Sequence, residues 1–185
     1  ARAAYRARYG DADVAVPAHW NDALALLLGH RSVRAYLPGP LPDGTLEALV
    51  AAAQSAASSS NLQTWSVVAV EDAERRARIA AWAGNQRFIV DAPLLLVFVA
   101  DLARAAGIAA RRGQPAEARD YLEPALVAGI DAALAAQNAV VAAEALGLGT
   151  VYVGAVRNHV AEVARELNLP PRAWPVFGLA VGKPD

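Results

Sequence analysis

The spacing of apolar residues along the chain predicts which segments are helical and which are extended. Steps of three and four residues predict one helix that begins at Asn21 and delivers residues 30–34 at its end. A second helix is predicted to start near Thr45 and to end at a serine tract. Short apolar or β-branched runs predict strands. The predicted strands cover 66–70, 94–100, 151–153 and 176–181, and further helices are expected at 72–82 and 160–167.

The longest predicted helix covers about 117–146. Its large apolar residues recur mostly at steps of four, beginning at Leu122, and the helix is apolar over more than one stripe. Alanine occupies many of the other positions and would let a second helix approach closely. The pattern indicates a helix at the centre of the fold or in a subunit interface, and we expect both roles.

The mixture of helices and strands predicts an α+β protein. Residues 1–18 show little periodicity and are predicted to form an N-terminal arm that the rest of the protein orders. Residues 19–185 are long enough for one domain with a core of its own, so a single domain is expected there.

Composition and charge exclude several classes of function. The 185 residues are 56% apolar and 19% charged, as in soluble globular proteins. A net charge of -1 without a basic block argues against nucleic-acid binding. The absence of cysteine excludes disulfides and thiolate nucleophiles and is compatible with the cytoplasm. No uninterrupted apolar run reaches the roughly 18 residues of a membrane span, so no membrane-spanning segment is predicted. No secretory signal is visible, so secretion is not predicted either.

Two polar segments carry the candidate chemistry. Residues 30–34 contain Arg31 and Arg34, and residues 58–63 are rich in hydroxyl and amide side chains. The planar donor fork of arginine fits a phosphate or an electron-rich ring oxygen, so the two segments predict a site for a ligand with a phosphate and polar ring edges. From these residues alone an alternative stays open, in which 58–63 is an ordinary helix-ending loop and both arginines are solvated surface charges.

Other chemistries lack their motifs. The glycines of 147–149 follow a helix and precede a strand, the reverse of a dinucleotide fingerprint, and predict a helix C-cap. Serines 58–60 lack the Gly-x-Ser-x-Gly elbow of a hydrolase. The histidines and carboxylates show no metal-ligand spacing, so no metal site is predicted.

Seven blocks of the sequence, taken in order, resemble one protein family. The blocks are 30–34, 58–63, 84–86, 135–139, 143–149, 152–158 and 177–182. They are similar to the nitroreductase family of FMN flavoproteins, in particular its NADPH-dependent, oxygen-insensitive nitroreductase and flavin reductase branch. The resemblance implies a nitroreductase-like fold, with a central mixed sheet flanked by helices and the long helix at the interface of a homodimer.

The resemblance also implies the cofactor and its contacts. FMN is the expected cofactor and carries the chemistry itself, so no catalytic side chain is assigned. Arg31 and Arg34 are expected at the phosphate or the pyrimidine edge, and the backbone of Gly154 and Ala155 near the redox nitrogen. Gln86 as a cap of a local turn and Tyr152 as an interface aromatic stay open as alternatives. The implied FMN contacts are His30, Arg31, Ser32, Arg34, Ser58, Gln86, Tyr152, Val153, Gly154 and Ala155.

The implied activity is an FMN-dependent NAD(P)H oxidoreductase. NADPH, or NADH, is expected to reduce the flavin and leave before a nitroaromatic, quinone or flavin is reduced. The alternatives are a flavin-binding protein without turnover and another flavin chemistry on the same fold. Members of this branch continue past the last strand with a Lys-Pro-Arg segment and a C-terminal extension. Both are expected to be missing here, because the sequence ends at Asp185.

Overall fold

A four-stranded sheet lies at the centre of the protein. The computed structural model describes residues 1–10, 15–114 and 120–185. The strands of the sheet are β1 (Trp65–Val70), β2 (Leu94–Asp101), β3 (Gly149–Val153) and β4 (Ala173–Gly182). Their spatial order is β1-β2-β4-β3, and each neighbouring pair is antiparallel.

The predicted α+β class is confirmed, but the sheet differs from the expected mixed sheet in one respect. Within the described ranges, parallel pairing is confined to a single bridge between Ser32 and Thr150 at the outer edge of β3. The segment around Ser32 is too short there to form a strand, so the four strands make an antiparallel sheet.

The helices flank this sheet. Those of the described residues are α1 (Arg2–Tyr9), α2 (Asp22–Gly29), α3 (Thr45–Gln54), α4 (Ala73–Trp82), α5 (Arg87–Asp91), α6 (Ala103–Arg111), α7 (Leu122–Ala145) and α8 (Val160–Glu166). Two short 3₁₀ turns cover Ser59–Asn61 and Gly154–Arg157.

Three of these helices, α1, α5 and α6, are absent from the sequence prediction. Neither α1 nor α6 buries a residue. The short helix α5 has only five residues. The predicted start of α7 near residue 117 falls within 115–119, which lies outside the described residues, and the described helix begins at Leu122.

The N-terminal arm contains α1 and rests on the segment that follows it. The rings of Tyr5 and Trp20 have centroids 5.9 Å apart. Arg8 Nη1 donates to the carbonyl oxygen of His30 at 2.8 Å. The arm is therefore ordered by the rest of the chain, and its separation at residue 18 from a single domain of 19–185 stays a prediction.

Helices cover both faces of the sheet. On one face α3 and α7 pack against residues such as Leu94 and Phe98. On the other face α4, α5 and α8 pack against residues such as Leu95 and Val97. Every residue of the inner strand β2 is buried, which explains why it forms one continuous apolar run in the sequence.

The long helix α7 has two apolar faces with different surroundings. Its buried face is mostly alanine, and Ala136 at 0% exposure packs in the core. Its other face carries large apolar side chains at steps of four, which we call the α7 stripe. The stripe consists of Leu122, Leu126, Ile130 and Leu134, with exposed fractions of 72%, 53%, 58% and 43%. Most of the α7 alanines therefore lie inside the subunit, and the large apolar side chains exposed on this helix are those of the stripe.

Among the described residues, α7 is the one helix long and apolar enough to cross a membrane by length and composition alone. Its contacts are those of a core helix, because its alanine face packs on the sheet and on α3. It also contains a buried carboxylate, Asp131, that is hydrogen-bonded within the protein.

Candidate functional site

The segment 30–34 is fixed against the free edge of β3. Val33 N–H donates to the carbonyl oxygen of Thr150 at 2.9 Å, next to the bridge between Ser32 and Thr150. The Tyr36 hydroxyl donates toward the carbonyl oxygens of Val33 at 2.7 Å and Ala180 at 3.3 Å. These contacts fix the backbone from which both candidate arginines extend.

Gly149 allows this close approach. A Cβ atom at Gly149 would lie 2.7 Å from Val33 Cβ, closer than carbon atoms pack. We expect Gly149→Ala to displace residues 30–34 and to lower the free energy of unfolding by about 1 to 2 kcal/mol, as overpacking does. Urea denaturation measures this. Gly107→Ala on α6 is the control, because its Cβ would meet only Arg111 at 3.6 Å. Equal stability of the two variants would contradict the contact.

The two arginines have different surroundings. Arg31 donates to main-chain carbonyls of Leu28 at 3.4 Å, His30 at 2.7 Å and Ala7 at 3.2 Å, and so joins the ends of α1 and α2. Arg34 places its Cζ 5.9 Å from the centroid of the Phe88 ring, in a cation–π arrangement. The exposed Arg34 is thus the better placed of the two to meet an anionic ligand, while Arg31 has a structural role in addition.

His30 forms a hydrogen bond with a distant carboxylate that the sequence did not indicate. Its Nδ1 lies 2.5 Å from Oε1 of Glu144, at the end of α7. The two residues are 114 positions apart, so no local spacing pointed to the pair. The carboxylate holds a proton on Nδ1 and fixes the orientation of the ring.

The predicted contact Ser58 lies in a loop that a second carboxylate organises. The Ser58 hydroxyl donates to Asp131 Oδ2 at 2.8 Å and accepts from Gln63 N–H at 2.7 Å. Asp131 accepts further hydrogen bonds from Ser59 and Thr64. Asp131 is not among the candidate residues of the sequence analysis. The sequence feature that could have identified Asp131 is its position as a single carboxylate within an apolar stretch of helix.

The residues at the end of β3 offer mainly backbone to a ligand. Val153 is buried, so only its main chain can contact one. Tyr152 packs edge-on against Phe177, with ring centroids 5.1 Å apart, and its hydroxyl donates to Gln137 Oε1 at 3.3 Å. Burial, and secondly the charge of Glu144, raise the pKa of Tyr152 to about 12, so its hydroxyl stays protonated at neutral pH.

Gly154 and Gln86 complete the predicted set. Gly154 is exposed, and a Cβ atom there would lie 3.2 Å from Nη2 of Arg157. Gln86 precedes α5, and its Nε2 donates to the carbonyl oxygen of Ala83 at 2.9 Å. The local hydrogen bond considered for Gln86 therefore exists. Its neighbour Phe88 carries Arg34 above its ring, which brings α5 to the same side of the protein as that arginine.

One chain does not bring all predicted contacts together. Strand register places Thr150, and with it Ser32, level with the end of β1 at Val70. The Ser58 loop precedes the opposite end of β1. Four strand spacings across and five residues along separate the two groups by roughly 25 Å. The contacts along α7 also reflect this separation, because Asp131 near the middle of the helix contacts the Ser58 loop and Glu144 near its C-terminal end contacts His30.

Two cavities formed by the described residues each lack a complete site. A cavity of about 320 Å³ beside β3 is lined by Arg31, Glu144 and Gly149 among others. A cavity of about 720 Å³ elsewhere is lined by none of the predicted contacts. Its wall carries four carboxylates, which would repel a phosphate. These are Asp43, Glu47, Glu71 and Asp91.

The chain is similar to several bacterial oxidoreductases. The profile of the Nitroreductase family matches residues 27–183. Identity is 38% over 165 residues to the NADPH-flavin oxidoreductase of Vibrio harveyi, covering 89% of this chain and 67% of that protein. It is 39% over 165 residues to the FMN reductase (NADPH) of Bacillus subtilis, covering 89% and 66%.

The fold is similar to that of a solved oxidoreductase structure. The structure of NADPH:FMN oxidoreductase from Vibrio harveyi complexed with NAD+ matches with a TM-score of 0.83 at 38% identity, covering 89% of this chain and 70% of that chain. The chain spans about two thirds of the length of the curated relatives. Because the family profile covers nearly all of it, the chain belongs to the nitroreductase family.

Proposed function

We propose that the protein is an FMN-dependent NAD(P)H oxidoreductase that reduces nitroaromatics, quinones or flavins in two separate half-reactions. The observation that carries this proposal is the segment 30–34, fixed on the edge of β3, the strand that leads directly into the exposed Gly154, in a chain of this family. NADPH is the preferred co-substrate of the proposal, because relatives such as the FMN reductase (NADPH) of Bacillus subtilis are named for it.

The donor set fits a flavin mononucleotide. Arg34, with the remaining donors of Arg31, would hold the phosphate or the pyrimidine edge, and Ser32 adds a hydroxyl. His30, oriented by Glu144, would donate or accept beside them. The flavin ring would be lined by Gln86, Tyr152 and the main chain of 153–155. FMN, when bound, supplies the hydride chemistry, and these residues bind it, orient it and stabilise negative charge.

A homodimer is part of the same proposal. Ser58 lies roughly 25 Å from Ser32 by strand spacing, so one chain cannot offer both to one ligand. A second copy can supply the missing loop. The α7 stripe supports this arrangement, because four large apolar side chains in a row on one exposed helix face are typical of an interface. The proposed compartment is the cytoplasm, since the chain has no cysteine and requires no oxidising environment.

Anaerobic flavin bleaching tests the proposed activity. The protein should bind added FMN, and NADPH should then remove the visible flavin absorbance, which a nitroaromatic or quinone should restore. FMN binding without bleaching by NADPH or NADH would favour the alternative of a flavin-binding protein without turnover. Failure to bind FMN at all would refute the proposal.

The proposed chemistry needs no side-chain general base. We expect His30→Asn and His159→Asn each to keep single-turnover flavin reduction within about threefold of the unmodified protein at saturating FMN, whereas loss of a general acid or base costs about 10² to 10⁴. His159 is the matched control, because it is exposed and precedes α8. Stopped-flow absorbance with NADPH measures this step before product release. A hundredfold loss in His30→Asn with FMN fully bound would indicate acid-base catalysis.

A further inference from the structure

Asp131 is a buried carboxylate that is not among the predicted FMN contacts. It lies on α7 with 1% of its surface exposed, directly beneath the loop that carries Ser58. A carboxylate buried this far needs hydrogen-bond donors to compensate for lost water. All the donors that it has come from one short stretch, 58–64.

The hydrogen bonds of Asp131 involve both carboxylate oxygens. Oδ2 accepts from the Ser58 hydroxyl at 2.8 Å and from the backbone N–H and hydroxyl of Thr64, each at 3.0 Å. Oδ1 accepts from Ser59 N–H at 3.2 Å. Because a backbone N–H can only donate, each oxygen position requires an acceptor. An asparagine would place its NH₂ group against a backbone N–H in either orientation.

The loop above Asp131 has an unfavourable backbone. Ser60, Asn61 and Gln63 have φ values of 50°, 54° and 50°, in the left-handed region that non-glycine residues seldom adopt. Such a conformation persists only where surrounding contacts impose it. Here hydrogen bonds to Asp131 hold both sides of the three residues, from Ser58 and Ser59 before them and from Thr64 after them. Arg104 adds a hydrogen bond to the carbonyl oxygen of Gln63.

The Ser58 hydroxyl is already occupied in this arrangement. It donates its one hydrogen to Asp131 and accepts from Gln63 N–H at 2.7 Å, which closes the loop on itself. The exposed groups of the loop are therefore those of 59–63. The Ser58 side chain therefore acts on a ligand through the shape of the loop, because its hydroxyl has no hydrogen left to donate.

We propose that Asp131 is a positioning residue that holds the Ser58 loop in its flavin-binding shape. The inference rests on the proposed function, because it assigns the loop to the cofactor site of the dimer. Asp131 directly follows Ile130 of the α7 stripe, so the same turn of helix faces the proposed partner and anchors the loop. Docking of the stripe and presentation of the loop are thereby linked through one rigid helix.

Three substitutions test the role of Asp131. Asp131→Asn removes a required acceptor, and Ser58→Ala removes one donor to it. Ser58→Thr is the conservative variant, since it keeps the hydroxyl at a position with extended φ and ψ of -136° and 139°, which suits a β-branched residue. Val140→Ala is a stability control, because Val140 is fully buried on the same helix within the core that covers this face of the sheet.

The measurements are FMN affinity by fluorescence quenching, kcat at saturating FMN, and amide hydrogen exchange at residues 59 and 64. We expect Asp131→Asn to raise the Kd for FMN at least about tenfold and to speed exchange at both amides, as loss of hydrogen bonds to a charged acceptor implies. Its kcat should stay within about twofold once FMN saturates, because Asp131 acts on binding alone. Ser58→Ala should shift the Kd in the same direction, and Ser58→Thr should shift it clearly less because it keeps the hydroxyl. Val140→Ala should leave the Kd unchanged.

Several results would overturn the inference. An unchanged Kd in Asp131→Asn would do so, as would an equal rise in Val140→Ala, which would indicate general destabilisation. If Asp131→Asn does not fold, the serine pair decides, and equal Kd values for Ser58→Ala and Ser58→Thr would reject the role of Asp131. Failure of the unmodified protein to bind FMN would instead refute the proposed function, and this outcome is read from the unmodified protein alone.

Discussion

Ile130→Asp is expected to convert the proposed dimer to a monomer and to abolish tight FMN binding in the same step. Ile130 is 58% exposed at the middle of the α7 stripe, so a partner packed there would bury the new carboxylate without a counter-charge. An unpaired buried charge weakens association by about 3 kcal/mol or more, roughly a hundredfold. In a two-fold symmetric interface each subunit would carry the change.

Sedimentation velocity at micromolar concentration measures the dimer, and FMN titration of the same samples measures the site. Val160→Asp is the matched control, since Val160 is also an exposed apolar residue, 41% accessible, but lies on α8 across the sheet. A monomer that binds FMN as tightly as the unmodified protein would contradict a site shared between two chains. A variant that remains dimeric would place the interface elsewhere.

Arg34→Ala is expected to weaken FMN binding by about 1.5 to 3 kcal/mol, or roughly 10- to 150-fold in Kd, the range of a lost charge-assisted hydrogen bond. In the described structure Arg34 is exposed and stacks on Phe88. Its removal should therefore cost little stability, and the loss should be seen in ligand binding. Arg34→Lys should give an intermediate Kd, because lysine keeps the charge and loses the planar fork.

Fluorescence quenching of FMN gives these affinities directly. Arg165→Ala is the matched control, because the side chain of Arg165 is 76% exposed on α8 and pairs locally with Glu162. The same Kd for Arg34→Ala and the unmodified protein would remove Arg34 from the site. An equal loss in Arg165→Ala would indicate a nonspecific effect of net charge.

Elements with a clear apolar period were predictable from the sequence. Most elements lie close to their predicted positions, because packing on the sheet imposes a local period of apolar residues. These elements are the four strands, α7 and the helices at 22–29, 45–54, 73–82 and 160–166. The motif blocks identified the family because each is a short run of adjacent residues that can be recognised locally. The helices α1 and α6, which bury no residue, were not predicted, whereas α2 also buries none and was predicted from its leucine spacing.

The pairing of distant residues was decided only by the tertiary structure. The contacts of His30 with Glu144 and of Ser58 with Asp131 join positions 114 and 73 residues apart, and no local pattern encodes them. The same holds for the choice of face on α7. Both of its faces are apolar in sequence, and only packing placed the alanines on the sheet and left Ile130 exposed.

The tertiary structure also decided that the predicted site falls into two separate groups of residues. In the sequence, residues 30–34 and 58–63 lie only about two dozen positions apart and read as one constellation. The sheet order β1-β2-β4-β3 places them at opposite corners, because 30–34 pairs with β3 and 58–63 leads into β1. The amino-acid sequence by itself determined the elements, the family and the candidate residues, since these depend on local periodicity and short motifs. Which residues share a site was decided by strand order and helix packing, which are properties of contacts between distant parts of the chain.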